Sequence, residues 1–323
     1  MKIIRMHEYG EPSVMRLEDG PLPEPDAGMV RVKADYIGVN FIDIQQRSGQ
    51  YRVPLPFTPG VEAAGIVDAL GDGVTDFQLG QRVVFGFGVK AAYAEYSVAA
   101  ADKLVPVPDK MDLALATAGL TQGMTAHFLS HDTFPLEPGH TALVHAAAGG
   151  TGQLLVQMAK MRGARVIGTV STPQKLEIAK AAGADEVILY SQQDFEAETK
   201  RLTDGRGVDV VYDAVGKDTF EKSLNCLRPR GYMVFYGQAS GPVPPFDVLS
   251  LGARGSLYIT RPTLGHYTAT GEETRRRASD VFNWMLAGKL AVTIDRTFPL
   301  AEAPTAHTVL AGRATQGKVL LVP

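Results

Sequence analysis

Cysteine is nearly absent: the 323 residues include one, Cys226. A single thiol forms no internal disulfide, and it excludes four-cysteine structural zinc and any centre that needs two thiolates. Cys226 lies in SLNCLRPRG at apolar helical spacing with Leu224 and Leu227, the pattern of a buried structural thiol. Net charge is also scarce. Lys plus Arg number 32 and Asp plus Glu 35, a formal charge of -3, so no global field draws nucleic acid or an anionic membrane. No apolar run reaches the ~20 residues of a spanning helix. Fixed-period repeats and low-complexity tracts are missing too. The opening MKIIRMHEYG alternates apolar and charged residues like a strand and lacks the apolar core of a signal peptide. The expectation is a soluble cytoplasmic protein with neither a membrane nor a nucleic-acid partner.

What is present is ordinary globular composition, 45% hydrophobic and 21% charged, at a length that suits two domains. Residues 1 to about 124 read as short strands punctuated by Gly and Pro, among them Val30–Ala34, Ala64–Ala69 and Arg82–Phe85. From about Gln122 strands and helices alternate. Strands are predicted at Thr141–His145, Arg165–Val170, Glu186–Tyr190, Val208–Asp213 and Tyr232–Gly237, with helices starting near Gly150, Pro173, Gln192 and Asp218. That alternation argues for a doubly wound parallel sheet. A helical segment, Glu272–Leu286, and a last strand, Lys318–Val322, have no place in that sheet and are expected to return to the first domain.

The most informative stretch is PGHTALVHAAAGGTGQLLVQMAK, Pro138–Lys160. A short apolar strand is followed by Ala147, Gly149 and Gly152 at the spacing of a dinucleotide-binding turn, with Ala in the first glycine's place. Then comes a helix with an apolar face. Residues without side chains let a pyrophosphate approach backbone N–H groups at a helix N-terminus, where the dipole favours negative charge. With a second strand following, the context is βαβ, and a nicotinamide dinucleotide is the expected ligand. The end of the second strand separates NAD from NADP. An acidic residue ~20 positions past the glycines would bind the ribose 2′-OH. Gly168–Lys175, GTVSTPQK, has none. Ser171 and Lys175 can meet a 2′-phosphate instead, which predicts NADPH. A solvated surface lysine is the competing reading of Lys175.

Two further segments, GVNFIDIQQRSGQY (Gly38–Tyr51) and TPGVEAAGIV (Thr58–Val67), stand in the N-terminal third. With the nucleotide segment, SLYITRP (Ser256–Pro262) and ATQGKVLLVP, they resemble the medium-chain dehydrogenase/reductase superfamily over essentially the whole chain. The likeness is strongest to its zinc-free NADPH:quinone oxidoreductase, or zeta-crystallin-like, branch. The resemblance implies a GroES-like β-rich catalytic domain at 1–124, completed by 267–323, and a Rossmann domain at 125–266. It also implies a homodimer, with Gly255–Thr260 as the pairing edge. Zinc alcohol dehydrogenases of the superfamily carry a ligand cysteine where this sequence has Asn40 and a histidine where it has Val61, while Glu62 remains. His127, His131 and His140 have no paired thiolates, so no metal is expected. Without a Lewis acid the acceptor must already be electron-poor, a quinone or an α,β-unsaturated carbonyl, held in the cleft between the domains.

By the same resemblance, Asn40 borders the nicotinamide and can donate to an acceptor oxygen, Tyr51 lines the acceptor site, and the Thr125 hydroxyl faces the nicotinamide region. Tyr51 could orient the acceptor, relay a proton or serve as an apolar wall. Asn40 could be only a turn residue, and Thr125 only structural. Gly149, Gly150, Thr151 and Gly152 are expected to cradle the pyrophosphate. Tyr190 resembles the tyrosine beside the adenosine phosphate. Val215 and Gly216 should approach the adenine ribose, and Phe235, Gly237 and Ser240 the nicotinamide half. Arg261 and Arg313 resemble arginines that reach the cofactor, against a competing reading as surface charge. No general acid is identifiable. The rivals to a quinone reductase are an alkenal or enoyl-thioester reductase and, in another class, a non-catalytic NADPH-binding or RNA-binding protein.

Overall fold

The computed structural model describes residues 1–312 and 315–323. They form two compact units, Met1–Met124 with Tyr267–Pro323, and Thr125–His266. The division falls inside one helix, Leu113–Phe128. Among the described residues no helix is long and apolar enough to cross a membrane.

The second unit is a six-stranded sheet in the order Glu186–Leu189, Arg165–Val170, Thr141–Val144, Val208–Asp213, Leu227–Phe235, Tyr258–Thr260. Every pairing is parallel. The two central strands, Thr141–Val144 and Val208–Asp213, are buried at every position. Their mostly apolar sequences, TALV and VDVVYD, fit helices covering both faces. The chain winds outward from Thr141–Val144 in one direction and then, from Val208–Asp213, in the other. The point between them is where such folds bind nucleotides.

Local chemistry sets the helix starts. Thr172 caps Pro173–Ala181, its hydroxyl accepting from Lys175 N at 3.3 Å. The helix expected near Gln192 begins at Phe195. The reason is Asp194, whose carboxylate accepts from Glu196 N and Ala197 N at 2.9 and 3.1 Å. The strand expected from Tyr232 begins at Leu227, passes Arg230 in a left-handed conformation (φ 59°) and ends at Phe235. Cys226 is buried, and desolvation pushes its thiol up to about 12, so it is an inert packing group.

The first unit holds a seven-stranded sheet. Its path runs Ile294–Pro299, Lys318–Val322, Met29–Val39, Ala63–Leu70, Arg82–Phe85, Leu104–Pro106, with Tyr96–Ala100 also on Met29–Val39. Only the first of these pairs is parallel. Its core includes Ile4, Met6, Ile37, Phe85, Tyr93 and Leu104, all without exposed surface. Each such side chain contributes ~1.5–3 kcal/mol of transfer free energy. Helix Leu113–Phe128 starts earlier than the change of rhythm at Gln122 suggests, because Asp112 caps it through Ala114 N at 2.8 Å.

Candidate active site and nucleotide turn

In the second unit the turn after Thr141–Val144 passes through Ala146 in a left-handed conformation (φ 53°) and enters helix Gly150–Met161 with Gly149 as its N-cap. Gly149 N donates to Ala146 O at 2.9 Å, and the Gln153 side chain donates back to Ala148 O at 2.9 Å, bracing the turn. A Cβ at Gly152 would collide with the Ala146 carbonyl oxygen and come within 3.0 Å of Ala147 Cα. The absence of that atom is what allows the close turn. The first-turn N–H groups of the helix have no intrahelical acceptor and point out of its N-terminus, an arrangement that favours anions.

The other cofactor residues expected from sequence follow the C-terminal ends of the same strands. Ser171 and Lys175 follow Arg165–Val170, and Tyr190, 43% exposed, follows Glu186–Leu189. Val215 and Gly216 follow Val208–Asp213; Gly237 and Ser240 follow Leu227–Phe235, which ends on Phe235 itself; Arg261 follows Tyr258–Thr260. All therefore follow the C-terminal end of the sheet, on either side of the switch point. Arg261 stacks its guanidinium over the Phe235 ring at 5.2 Å and donates to Pro262 O at 2.9 Å. Arg313 lies outside the described residues.

Sequence reasoning missed Asp213. Its Oδ1 accepts from Val215 N and Gly216 N at 2.7 and 3.1 Å, and its Oδ2 accepts from the Thr219 hydroxyl at 2.7 Å. Ser240 Oγ then donates to Val215 O at 2.8 Å and accepts from Asp218 N at 3.1 Å. One buried carboxylate and one hydroxyl thus shape two of the strand-end loops. Beneath them His145, fully buried and so held below its ordinary pKa, bridges Thr169 and Ser223 at 2.8 and 2.9 Å.

In the first unit, Asn40 ends strand Met29–Val39 and begins helix Phe41–Arg47. Its backbone N–H donates to Asp43 Oδ2 at 2.8 Å, half of a capping box. Its side chain is 9% exposed and engaged on every side. Oδ1 accepts from Lys318 Nζ at 2.7 Å; Nδ2 donates to Glu62 Oε2 at 3.1 Å and to Gly38 O at 3.2 Å. Lys318 and Glu62 form an ion pair with no exposed surface on either side chain, and Glu62 Oε1 accepts from Thr121 N at 2.7 Å. A Cβ on Gly38 would fall 2.9 Å from Lys318 Cε and closer still to the Glu62 carboxylate, so the pair needs glycine there.

Register explains the convergence. Gly38 pairs with Leu320 on one neighbour, and Gly38 N bonds Glu62 O on the other. Lys318, Asn40 and Glu62 therefore stand at adjoining ends of three strands.

A second chain starts on Asp43. Tyr93 OH donates to Asp43 Oδ2 at 3.1 Å and lies 2.9 Å from His307 Nε2, on helix Ala303–Ala311. Desolvation raises the Asp43 carboxyl to about 7, outweighing its hydrogen bonds from Asn40 and Tyr93 and the nearby Lys318 charge. Burial lowers His307 to about 3, with the Arg47 charge adding to the effect. Tyr51 and Thr125 are both half-buried; Tyr51 N donates to Gln45 O at 3.0 Å just past helix Phe41–Arg47, and Thr125 lies in helix Leu113–Phe128.

Two family patterns match the chain, "Alcohol dehydrogenase GroES-like domain" over residues 26–109 and "Zinc-binding dehydrogenase" over residues 150–280. A "Quinone oxidoreductase" of Pseudomonas aeruginosa is 45% identical over 100% of this chain and 99% of its own length. The chain belongs to the medium-chain dehydrogenase/reductase superfamily, in its zeta-crystallin-like quinone oxidoreductase branch. A "2-haloacrylate reductase" of a Burkholderia species is 44% identical over 98% of both chains. Among solved structures, the Escherichia coli quinone oxidoreductase complexed with NADPH is 40% identical and covers 100% of both chains, with a TM-score of 0.98.

Zinc-dependent members of the superfamily would place metal ligands at the positions of Asn40, Val61 and Glu62. Here Val61 has no donor atom, and the oxygens of Asn40 and Glu62 both face the Lys318 ammonium. A divalent cation on the same oxygens would meet that ammonium at contact distance, so these residues do not fit zinc. Among the described residues no group of three or more His, Cys, Asp or Glu could hold a metal ion elsewhere.

Proposed function

We propose that this protein is an NADPH-dependent quinone oxidoreductase. The glycine turn at the switch point of a parallel sheet carries the cofactor half of this reading, followed by a second-strand end with Ser171, Thr172 and Lys175 and no carboxylate. The full-length likeness to quinone oxidoreductases supports the acceptor half. Bound NADPH supplies a hydride from its nicotinamide C4. The chain's own residues bind, orient and exclude water. First-turn N–H groups at Gly150–Gly152 hold the pyrophosphate. Lys175 meets the 2′-phosphate, and Tyr190, Val215, Gly216, Phe235, Gly237, Ser240 and Arg261 line the remaining length. Asn40 and Tyr51 border the acceptor, and the Thr125 hydroxyl meets the nicotinamide. Because both Asn40 amide hydrogens are already donated, it meets an acceptor oxygen by exchanging one contact, and the longer one, to Gly38 O, is the one to yield. Hydrogen bonding alone polarises a carbonyl modestly, which restricts turnover to acceptors that are already electron-poor.

The 44% identity to a 2-haloacrylate reductase favours a second reading, reduction of an activated carbon–carbon double bond. An NADPH-oxidation assay across quinones, enones and 2-haloacrylates separates the two; preference for the alkenes would replace the first reading. For the cofactor, Lys175→Ala is expected to raise the Kd for NADPH by ~10–100-fold, the worth of one charge-assisted hydrogen bond, and to leave NADH within about twofold. Equal losses for both coenzymes in a fluorescence titration would refute the 2′-phosphate assignment.

The assembly we infer is a homodimer. Strand Tyr258–Thr260 ends the six-stranded sheet with one edge unpaired among the described residues. Tyr258 is 51% exposed and stacks on Tyr232 at 4.5 Å. Such an edge takes a second copy readily. Ile259→Pro, which removes a backbone donor from this last strand, is expected to give monomers by sedimentation velocity; a dimer of unchanged affinity would rule this edge out.

A further inference from the structure

We propose that Lys318 is a positioning residue of the reaction: its buried ammonium holds the Asn40 amide and the Glu62 carboxylate in one arrangement, in the place where related enzymes carry a metal ion. The inference rests on the reading that Asn40 borders the acceptor. Lys318 and Glu62 have no exposed surface, an unusual state for either residue type. Desolvating two opposite charges is costly and repays itself only when the pair is close and its remaining atoms are hydrogen-bonded. Here that condition is met through neutral partners. Lys318 also donates to Asn40 Oδ1, and Glu62 also accepts from Asn40 Nδ2 and Thr121 N.

The arrangement fixes which way the Asn40 amide points. An ammonium only donates and a carboxylate only accepts, so Oδ1 must face Lys318 and Nδ2 must face Glu62. A flipped amide would set N–H against ammonium and carbonyl oxygen against carboxylate. Lys318 thereby directs the Nδ2 hydrogens, the only donors on that side chain, without meeting the acceptor itself. It also withdraws electron density from Oδ1, which makes the opposite N–H groups better donors. Sequence reading passed over Lys318 because GKVLLVP presents it as the polar start of a C-terminal strand. Only antiparallel register against Met29–Val39 brings it to Asn40.

The test compares three variants in NADPH oxidation by a quinone. K318M removes the charge and keeps the length, K318R keeps the charge, and K318M/E62Q removes both charges together. Expected for K318M are a kcat lowered at least ~30-fold and a KM for NADPH within about twofold of wild type. K318R should keep kcat within about threefold. K318M/E62Q should recover the melting temperature, yet not recover kcat. A double variant with wild-type kcat would reduce the pair to a structural one and overturn the assignment, as would K318M with unchanged kcat. If the methionine variants do not fold, K318R decides: kcat above about a third of wild type supports the assignment and a lower value overturns it.

Failure of the wild-type enzyme to reduce any quinone would undo the functional reading instead. The assignment is then read without an acceptor, from the Asn40 side-chain amide signals in a 15N spectrum. They should shift in K318M and hold in K318R; identical signals in K318M would overturn it.

Discussion

Gly152→Ala is expected to weaken NADPH binding at least about a hundredfold, ~2.7 kcal/mol, while Gly149→Ala costs only several-fold. The added methyl group is the same; its surroundings differ. At Gly152 it would strike the Ala146 carbonyl oxygen and crowd Ala147 Cα, all of it main chain. That main chain is fixed by the bond from Gly149 N to Ala146 O and by Ala147 N donating to Thr169 O at 3.2 Å. Relief must therefore come from moving the start of helix Gly150–Met161, whose first-turn N–H groups are the proposed anion site. At Gly149 a Cβ would have one close neighbour, Ala146 O at 3.2 Å, and the backbone there is ordinary extended chain at φ -76°. Titration of cofactor fluorescence, with circular dichroism to confirm folding, measures both. A folded Gly152→Ala enzyme with undiminished affinity would show that the pyrophosphate does not use this turn.

That turn was legible in the sequence for the same reason that the sheet around it was. Thr141–Val144 and Val208–Asp213 are buried on both faces and read as mostly apolar runs, and runs separated by alternating helices have few alternatives. The first unit hides more. Strand Met29–Val39 is visible in the sequence only as Val30–Ala34, because Asp35, Tyr36 and Gly38 break the alternation just where the strand approaches the site. Helix Phe41–Arg47, which presents Asn40, resembles a polar loop: FIDIQQR buries Asp43 and Arg47 rather than an apolar stripe.

Pairings between distant segments are the least legible of all. Asn40 stands out by its motif, whereas Lys318, Tyr93 and His307 meet it and Asp43 through sheet register and helix docking that no local pattern encodes. Asp213 escaped notice because VDVVYDAVG reads as a strand with a polar end, and its work is done on the main chain of the following loop.

Asp43 and His307 lead to the second large effect, two variants whose stabilities run in opposite directions with pH. Asp43 titrates near 3.8 unfolded and about 7 folded. Its contribution is complete below the unfolded value and is lost as pH rises through about 7. His307 titrates near 6.5 unfolded and about 3 folded. Folding keeps it neutral, so its contribution is complete above the unfolded value and is lost as pH falls toward about 3. Between pH 4 and 6.5 one group takes up a proton on folding while the other releases one, and the two slopes, each up to ~1.4 kcal/mol per pH unit, oppose each other. The wild-type stability of the first unit should therefore be nearly flat there with respect to this pair.

Asp43→Asn keeps an acceptor for Asn40 N and Tyr93 OH, and exposes the histidine: stability should rise with pH. His307→Gln keeps a partner for Tyr93 and exposes the carboxyl: stability should fall with pH. Urea midpoints at pH 4.5, 5.5 and 6.5, followed by the fluorescence of the single tryptophan, Trp284 in the first unit's helix Gly271–Leu286, report on the right unit. Parallel slopes in the two variants would mean that Asp43 and His307 do not titrate as a compensating pair. The opposed slopes would place a carboxyl that ionises near neutrality one hydrogen bond from the backbone of Asn40, the residue proposed to meet the acceptor.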